Sequence, residues 1–563
     1  MPEAAERPAL LLAALEGVRD QFDPLAARLK LDLLRRLERA RLPRAQQVKR
    51  LHEALCFLRA YPDNAALLAQ VERLLGSFER RADLRRHRAA LRDTGIAGTE
   101  IRYRFFYFMA EWLARRWGDR LRVDWRAFEG RSRLENRLHL LALYAETPAL
   151  DEYALGVKAW VDRMRGRRET DAAFLVRRFQ RLRLDAYARE TFFEELDVPM
   201  RLAPGPTTPS RTHARYPGRT VVFQSGPLLK GRPRLGDEAA RPPFAVRSVT
   251  TRAGRRLVDL AREAMVTRSR DLDVFAHGDP RDVRLVDCGG GLQFALIGAI
   301  PQRRLLLEAV YGLLTLKNGV PLGYSLVSAL YASSEIAYNV FETYRGNESA
   351  AIYGRVLATV RHVFGSDSFT IYPYQLGHEN DEALRSGAWW FYRKLGFAPR
   401  KRALVDLMRR ETKAMKRDPA YRSNAATLKT LATGNLFWSV ARPRPDVIGV
   451  LALPTVGLRV MEYLGRRFGS DRERAARTCS LEAARLLGVA APGALPPHER
   501  LAWERWAPLV LLLPGVERWT REDKRGLARV VRAKGGRRES DFARLFDRHK
   551  PLRRAVMTLA GRE

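Results

Sequence analysis

Apolar residues keep a helical period over the first two hundred positions, lose it at a run of prolines, and then mix two periods. Leu67, Leu68, Val71, Leu74, Leu75 and Phe78 share one helical face, and Asp63 and Asn64, just after Pro62, are placed to cap it. Thr99-Glu100 predicts a second helix start, with Phe105, Phe106, Met109, Trp112 and Leu113 in helical spacing. Residues 1–201 therefore read as a helical domain. Residues 202–218 hold four prolines and two glycines with no apolar period, and read as an interdomain linker.

Strand signals begin beyond that break. TVVF at 220–223 and FAVRSV at 244–249 are β-rich, and from Thr251 a helix is predicted with Leu257, Leu260, Ala261 and Met265 on one face. Tyr311 to Thr315 alternates as a strand, and Lys317-Asn318-Gly319 supplies a tight turn. Leu322 to Leu330 returns as its partner, and Ile336 to Phe341 gives a third strand. A helix with Ile352, Val356, Val360 and Val363 as its buried stripe follows, then a strand from Phe369 to Tyr374 and a short aromatic helix, GAWWFYRKLGF, at 387–397. From 401 the chain reads as mostly helical, broken at Ala441 to Asp446 and at Pro492 to Pro497. GRRETDAAF at 166 and GRRESDFARLF at 536 both read as helix starts, with Thr170 and Ser540 near the caps. The fold class is α+β: a helical domain 1–201, a linker 202–218, a mixed-sheet domain 219–400 and a mostly helical region 401–563.

Composition narrows the chemistry. At 563 residues and 46% hydrophobic, the chain can bury several cores. Its net charge of +37, carried mostly by arginine, implies a positive field and an anionic partner: nucleic acid, acidic membrane or anionic substrate. The basic faces bearing Arg80, Arg81, Arg85, Arg86 and Arg88 read first as solvated surface, with anion binding the alternative. Cys56, Cys288 and Cys479 are far apart and have no metal spacing, which fits a reducing cytoplasm and no disulfide framework. No stretch approaches the roughly 20 apolar residues of a membrane span.

Two motifs carry chemistry. In YRGNESA, at 344–350, small residues would let the backbone approach a ligand, and the first amides of the next helix would face a diphosphate. With GAWWFYRKLGF, this stretch resembles the cofactor half of the GNAT superfamily of acyl-CoA-dependent N-acyltransferases. By that resemblance Arg345, Gly346, Asn347, Glu348, Ser349 and Ala350 form the phosphate loop. Arg345 and Ala350 match its ends, and Glu348 stands where the family carries a glycine. Asn380 would help hold the pantetheine arm, and the amide near Val340 would meet the acyl carbonyl where the sheet splays. Tyr392 would be the general acid toward the departing thiolate, and Glu342 the first candidate base, with Glu335 second. Trp389, Trp390 and Phe391 read as packing, and His378 as a loop histidine. The resemblance implies acetyl-CoA or another acyl-CoA as co-substrate, an unidentified amine acceptor and no metal. Two other readings stand beside it: an inactive scaffold of the same fold, because of Glu348, and a basic nucleic-acid-associated protein, on charge alone.

Overall fold

The computed structural model describes residues 8–218, 220–346 and 348–561. Helices and mixed sheets make it α+β, in two compact units. The first runs to Pro227 and adds Arg256–His277 and Lys317–Pro321; the second comprises Leu228–Arg255, Gly278–Leu316 and Leu322–Glu563.

In the first unit Asn64 caps the helix Ala65–Gly76, its side chain accepting from the amide of Leu67 at 2.9 Å. Asp63 turns instead to the buried Lys30, 2.8 Å away. The helix expected from Thr99 starts later, at Tyr107, and runs to Trp117, because Ile101–Tyr103 is a strand, β1. With β2 (Leu121–Val123) and β3 (Met200–Leu202) it forms a small antiparallel sheet of order β1-β3-β2. Trp112, Leu113, Leu121, Leu175, Phe179 and Phe193 belong to the core beside it. Thr170 caps the helix Asp171–Gln180, accepting from Ala173 at 3.1 Å.

The proline-rich stretch 202–218 lies within this unit and is not a tether. Thr212 is fully buried; its hydroxyl lies 2.9 Å from His52 Nε2 and accepts from the amide of Ala97 at 2.8 Å. Arg59 holds the Thr212 carbonyl at 2.6 Å. Polar contacts fix the stretch, so it packs without an apolar period.

The second unit is built on an eight-stranded sheet. Its strands are β4 (Ala245–Ser248), β5 (Gly278–Asp287), β6 (Leu292–Ala299), β7 (Ala309–Lys317), β8 (Val320–Leu330), β9 (Ser333–Val340), β10 (Ser368–Ile371) and β11 (Leu436–Ser439), and their spatial order follows the chain. The β7–β8 hairpin turns as the sequence predicts: Asn318 and Gly319 have φ of 50° and 80°, the left-handed pair that a two-residue turn needs. TVVF forms no strand, whereas β4 falls within FAVRSV. Strand β11, drawn from beyond residue 400, pairs antiparallel with β10, so one sheet runs across the expected 400/401 boundary.

β9 and β10 are parallel, and the helix Ser349–Phe364 lies in the crossover between them. Its expected stripe, Ile352, Val356, Val360 and Val363, is buried. Among the described residues, no helix is long and apolar enough to cross a membrane.

Candidate functional site

The parallel pairing of β9 with β10 is short. It joins Ser333, Ser334 and Glu335 to Ser368, Phe369 and Thr370, while on its other side β9 pairs with β8 as far as Val340. β10 ends at Ile371, and Pro373 opens a helical turn, so the sheet parts alongside Ile336–Val340.

Backbone alternation decides what lines that gap. The Phe341 amide donates to the Leu322 carbonyl at 2.8 Å. In the register Gly323↔Val340 this turns odd-numbered amides toward β8, and the polar groups of Ile336, Tyr338 and Val340 toward the gap. The Val340 carbonyl already accepts from Arg345 Nε at 3.0 Å.

Tyr392 reaches the same place from the helix Ala388–Lys394. It is 3% exposed, and its ring packs edge-on to Tyr353 at 5.5 Å and to Phe391 at 5.2 Å. Burial raises its pKa, and the Tyr338 amide, hydrogen-bonding toward the phenol oxygen, works against that shift. The phenol is thus protonated at neutral pH and has a proton to give. Tyr338 stacks on Phe391 at 6.3 Å and donates its hydroxyl to the Ser349 carbonyl at 2.9 Å. Nothing in the sequence had marked this tyrosine; only the strand register gives it a role.

The neighbouring tryptophans are anchors. Trp389 donates to the Leu431 carbonyl and Trp390 to the Ser423 hydroxyl, both at 3.1 Å.

The phosphate-loop candidates follow β9. Arg345 is 41% exposed and pairs with Glu382 at 2.5 Å, and Gly346 has φ of 81°. Asn347 lies outside the described residues. Glu348 stands at the N-cap of the helix Ser349–Phe364 and is 8% exposed. One carboxylate oxygen accepts from the Leu229 amide at 3.4 Å, so the side chain turns toward the 228–230 segment. The first-turn amides, those of Ser349 and Ala350 among them, have no partner within the helix and could face an anion. Asn380 caps the helix Asp381–Ser386 through the Ala383 amide at 3.1 Å and donates to the Tyr374 carbonyl at 3.0 Å. It fixes the loop, and both ends of its amide are engaged.

The two candidate bases differ. Glu342 is exposed on a short 3-10 turn two residues past Val340. Glu335 lies at the closed end of the gap, opposite Thr370, and burial pushes its pKa up to about 7, with the Glu308 carboxylate adding to the shift. Strand alternation puts its side chain on the face opposite that of Tyr338. An open cleft of about 480 Å³ adjoins this region, lined by His378, Glu379, Asp381 and Lys429 among others. Among the described residues no three metal-ligating side chains gather.

The chain matches no family model, no curated protein and no solved structure. Any functional reading therefore stands on this geometry and on the motifs.

Proposed function

We propose that the second unit is an acyl-CoA-dependent N-acyltransferase of the cytoplasm that moves an acyl group, acetyl first among the candidates, onto an amine. The observation that carries this reading is the parted sheet beside β9, with the Tyr392 phenol and the strand amides turned into one gap. Acyl transfer needs a donor to the carbonyl oxygen as charge develops there, and the Val340 amide faces the gap for that task. It needs a proton for the departing thiolate, which the buried Tyr392 phenol can give. It needs a group to take the amine proton: Glu342, two residues past Val340 at the open end of the gap, is the first candidate, and Glu335, at the closed end with its pKa raised to about 7, the second. Arg345, Gly346 and the amides of Ser349 and Ala350 would receive the diphosphate. The free, buried cysteines favour the cytoplasm.

A second reading keeps the fold as a binding scaffold without turnover. Glu348 favours it, because a carboxylate already sits at the helix N-terminus where a diphosphate would bind.

Titration with acetyl-CoA and longer acyl-CoAs separates the two. Ligand should raise the melting temperature and protect Arg345 to Phe364 from hydrogen exchange, and acetyl transfer to a panel of amines should follow. Binding without transfer favours the scaffold; no binding of any acyl-CoA disposes of the enzyme.

A further inference from the structure

Two arginine runs far apart in sequence come together in the first unit. The helix Pro24–Arg39 ends in one run, and the chain continues through Arg41 and Arg44 into the helix Ala45–Ala60. The other run spans Arg80 to Arg88, around the short helix Ala82–Arg86. Arg81 staples them: its guanidinium donates to the Ala40 carbonyl at 3.0 Å and to the Leu37 carbonyl at 3.4 Å, at the end of the first helix. Asp83, 8% exposed, completes the staple by accepting from the Leu42 amide at 3.1 Å and from Arg81 at 2.7 Å.

The staple leaves the other arginines outside. Arg35, Arg39, Arg41 and Arg44 are exposed on one run, and Arg80, Arg85, Arg86 and Arg88 on the other. Among the described residues, none of these guanidiniums forms an ion pair with a carboxylate. Of the acids close by, Glu38 is held by Arg73 at 2.9 Å and by Gln70 at 3.2 Å, Asp32 faces Arg36 at 3.5 Å, Asp83 belongs to the staple, and Glu79 is half-buried beside Arg80.

The remaining surface chemistry selects the partner. Among the described residues, no aromatic side chain between Pro24 and Tyr103 is exposed, and the exposed large apolar side chains there are Leu25 and Leu29, at the start of the first helix and away from the arginine run at its end. A bilayer surface calls for apolar residues to insert, and a single strand calls for aromatic faces on which bases stack. Guanidiniums alone suit the phosphate backbone of a duplex, which is bound without stacking or insertion. We propose that this face of the first unit binds double-stranded nucleic acid through its phosphates, without reading sequence. The net charge of +37 would speed the encounter. This surface is independent of the acyltransfer reading.

The test is fluorescence anisotropy of the full chain with a mixed-sequence duplex of about 20 base pairs, from about 50 to 200 mM salt. One variant carries Arg80→Ala, Arg85→Ala, Arg86→Ala and Arg88→Ala. A second carries Arg35→Ala, Arg41→Ala and Arg44→Ala. A control carries Arg410→Ala, Lys413→Ala, Lys416→Ala and Arg417→Ala, all exposed on the helix Arg402–Arg417 of the second unit. The first variant should lose at least tenfold in affinity, with a slope of log K against log salt shallower by roughly 0.9 for each phosphate it no longer neutralises. The second should follow in proportion, while the control stays within about threefold of the wild-type chain. Equal losses in all three, no duplex binding by the wild-type chain at the lowest salt, or tighter binding to phosphatidylserine vesicles that the first variant abolishes would each overturn the proposal.

Discussion

Across the gap between β9 and β10, the buried phenol of Tyr392 faces the backbone amide of Tyr338, which lowers a pKa that burial raises. Burial keeps the proton on, so the phenol is set to donate beside a strand edge. Tyr392→Phe should therefore lower kcat by about 100-fold or more while leaving acyl-CoA affinity within about threefold, since the ring packing is kept. Loss of the hydroxyl should cost only about 1 kcal/mol of stability. Steady-state kinetics beside calorimetric binding would separate these effects, and unchanged turnover would remove the assignment.

Glu335 gives a pH signature. Its carboxyl ionises near 4.5 when exposed and at about 7 in the folded chain, so the folded state binds the proton more tightly. Its contribution to stability is full below the unfolded value and is lost as pH rises through about 7. The loss is at most roughly 3 kcal/mol. Glu335→Gln cannot ionise and should flatten this part of the profile. Asp271 and Glu263 also titrate near 7, so the quantity to measure is the difference between wild type and variant in urea melts from pH 5 to 8. If Glu335 is the base, kcat/KM should fall below about pH 7 in the wild type and be low and flat in the variant.

Much of the fold around this site follows from residue pattern, and the rest is hidden for physical reasons. The turn at Asn318-Gly319, the strands on either side of it and the buried stripe of the 349–364 helix follow from local rules of dihedral and period. The part played by Tyr338 depends on which strand edge pairs with what, a non-local fact that no period records. The same holds for β11, a four-residue strand in helical surroundings that finds its partner about 65 residues upstream. The 202–218 stretch misled because proline and glycine mark an irregular backbone, and irregular backbone can be packed as tightly as Thr212. Asn380 and Glu348 fall at ligand-facing positions of the motif, yet Asn380 caps its own helix and Glu348 turns to the amide of Leu229, 119 residues upstream.

Glu348 sets the affinity expected at the loop. A carboxylate at a helix N-terminus is favourable in the free protein and opposes an incoming diphosphate. Glu348→Gln keeps an oxygen for the Leu229 amide and removes the charge. It should tighten acyl-CoA binding by roughly fivefold, equivalent to about 1 kcal/mol, with little change in melting temperature. Calorimetry at low and high salt checks this: a gain that shrinks with salt marks an electrostatic cause, and weaker binding would mean that the carboxylate serves the ligand.

Lys534 and Glu539 form a buried ion pair at 2.6 Å, with side chains 5% and 0% exposed, at the start of the helix Glu539–Arg548. Glu539 also accepts from the Val310 amide at 3.2 Å, and the next residue, Ser540, donates its amide to the Tyr311 hydroxyl at 2.9 Å. Tyr311 in turn donates to Asp282 at 2.5 Å, so these polar contacts pin the helix to β5 and β7. Lys534→Met removes one charge and strands the other, which should cost the second unit about 3–5 kcal/mol. Lys534→Met combined with Glu539→Leu removes both, and should recover most of that loss because two desolvated charges give way to apolar contacts. Chemical denaturation of the single and double variants decides the point. A double variant as unstable as the single one would show that the hydrogen bond from the Val310 amide to the Glu539 carboxylate, rather than the charge pair, holds the helix on the sheet.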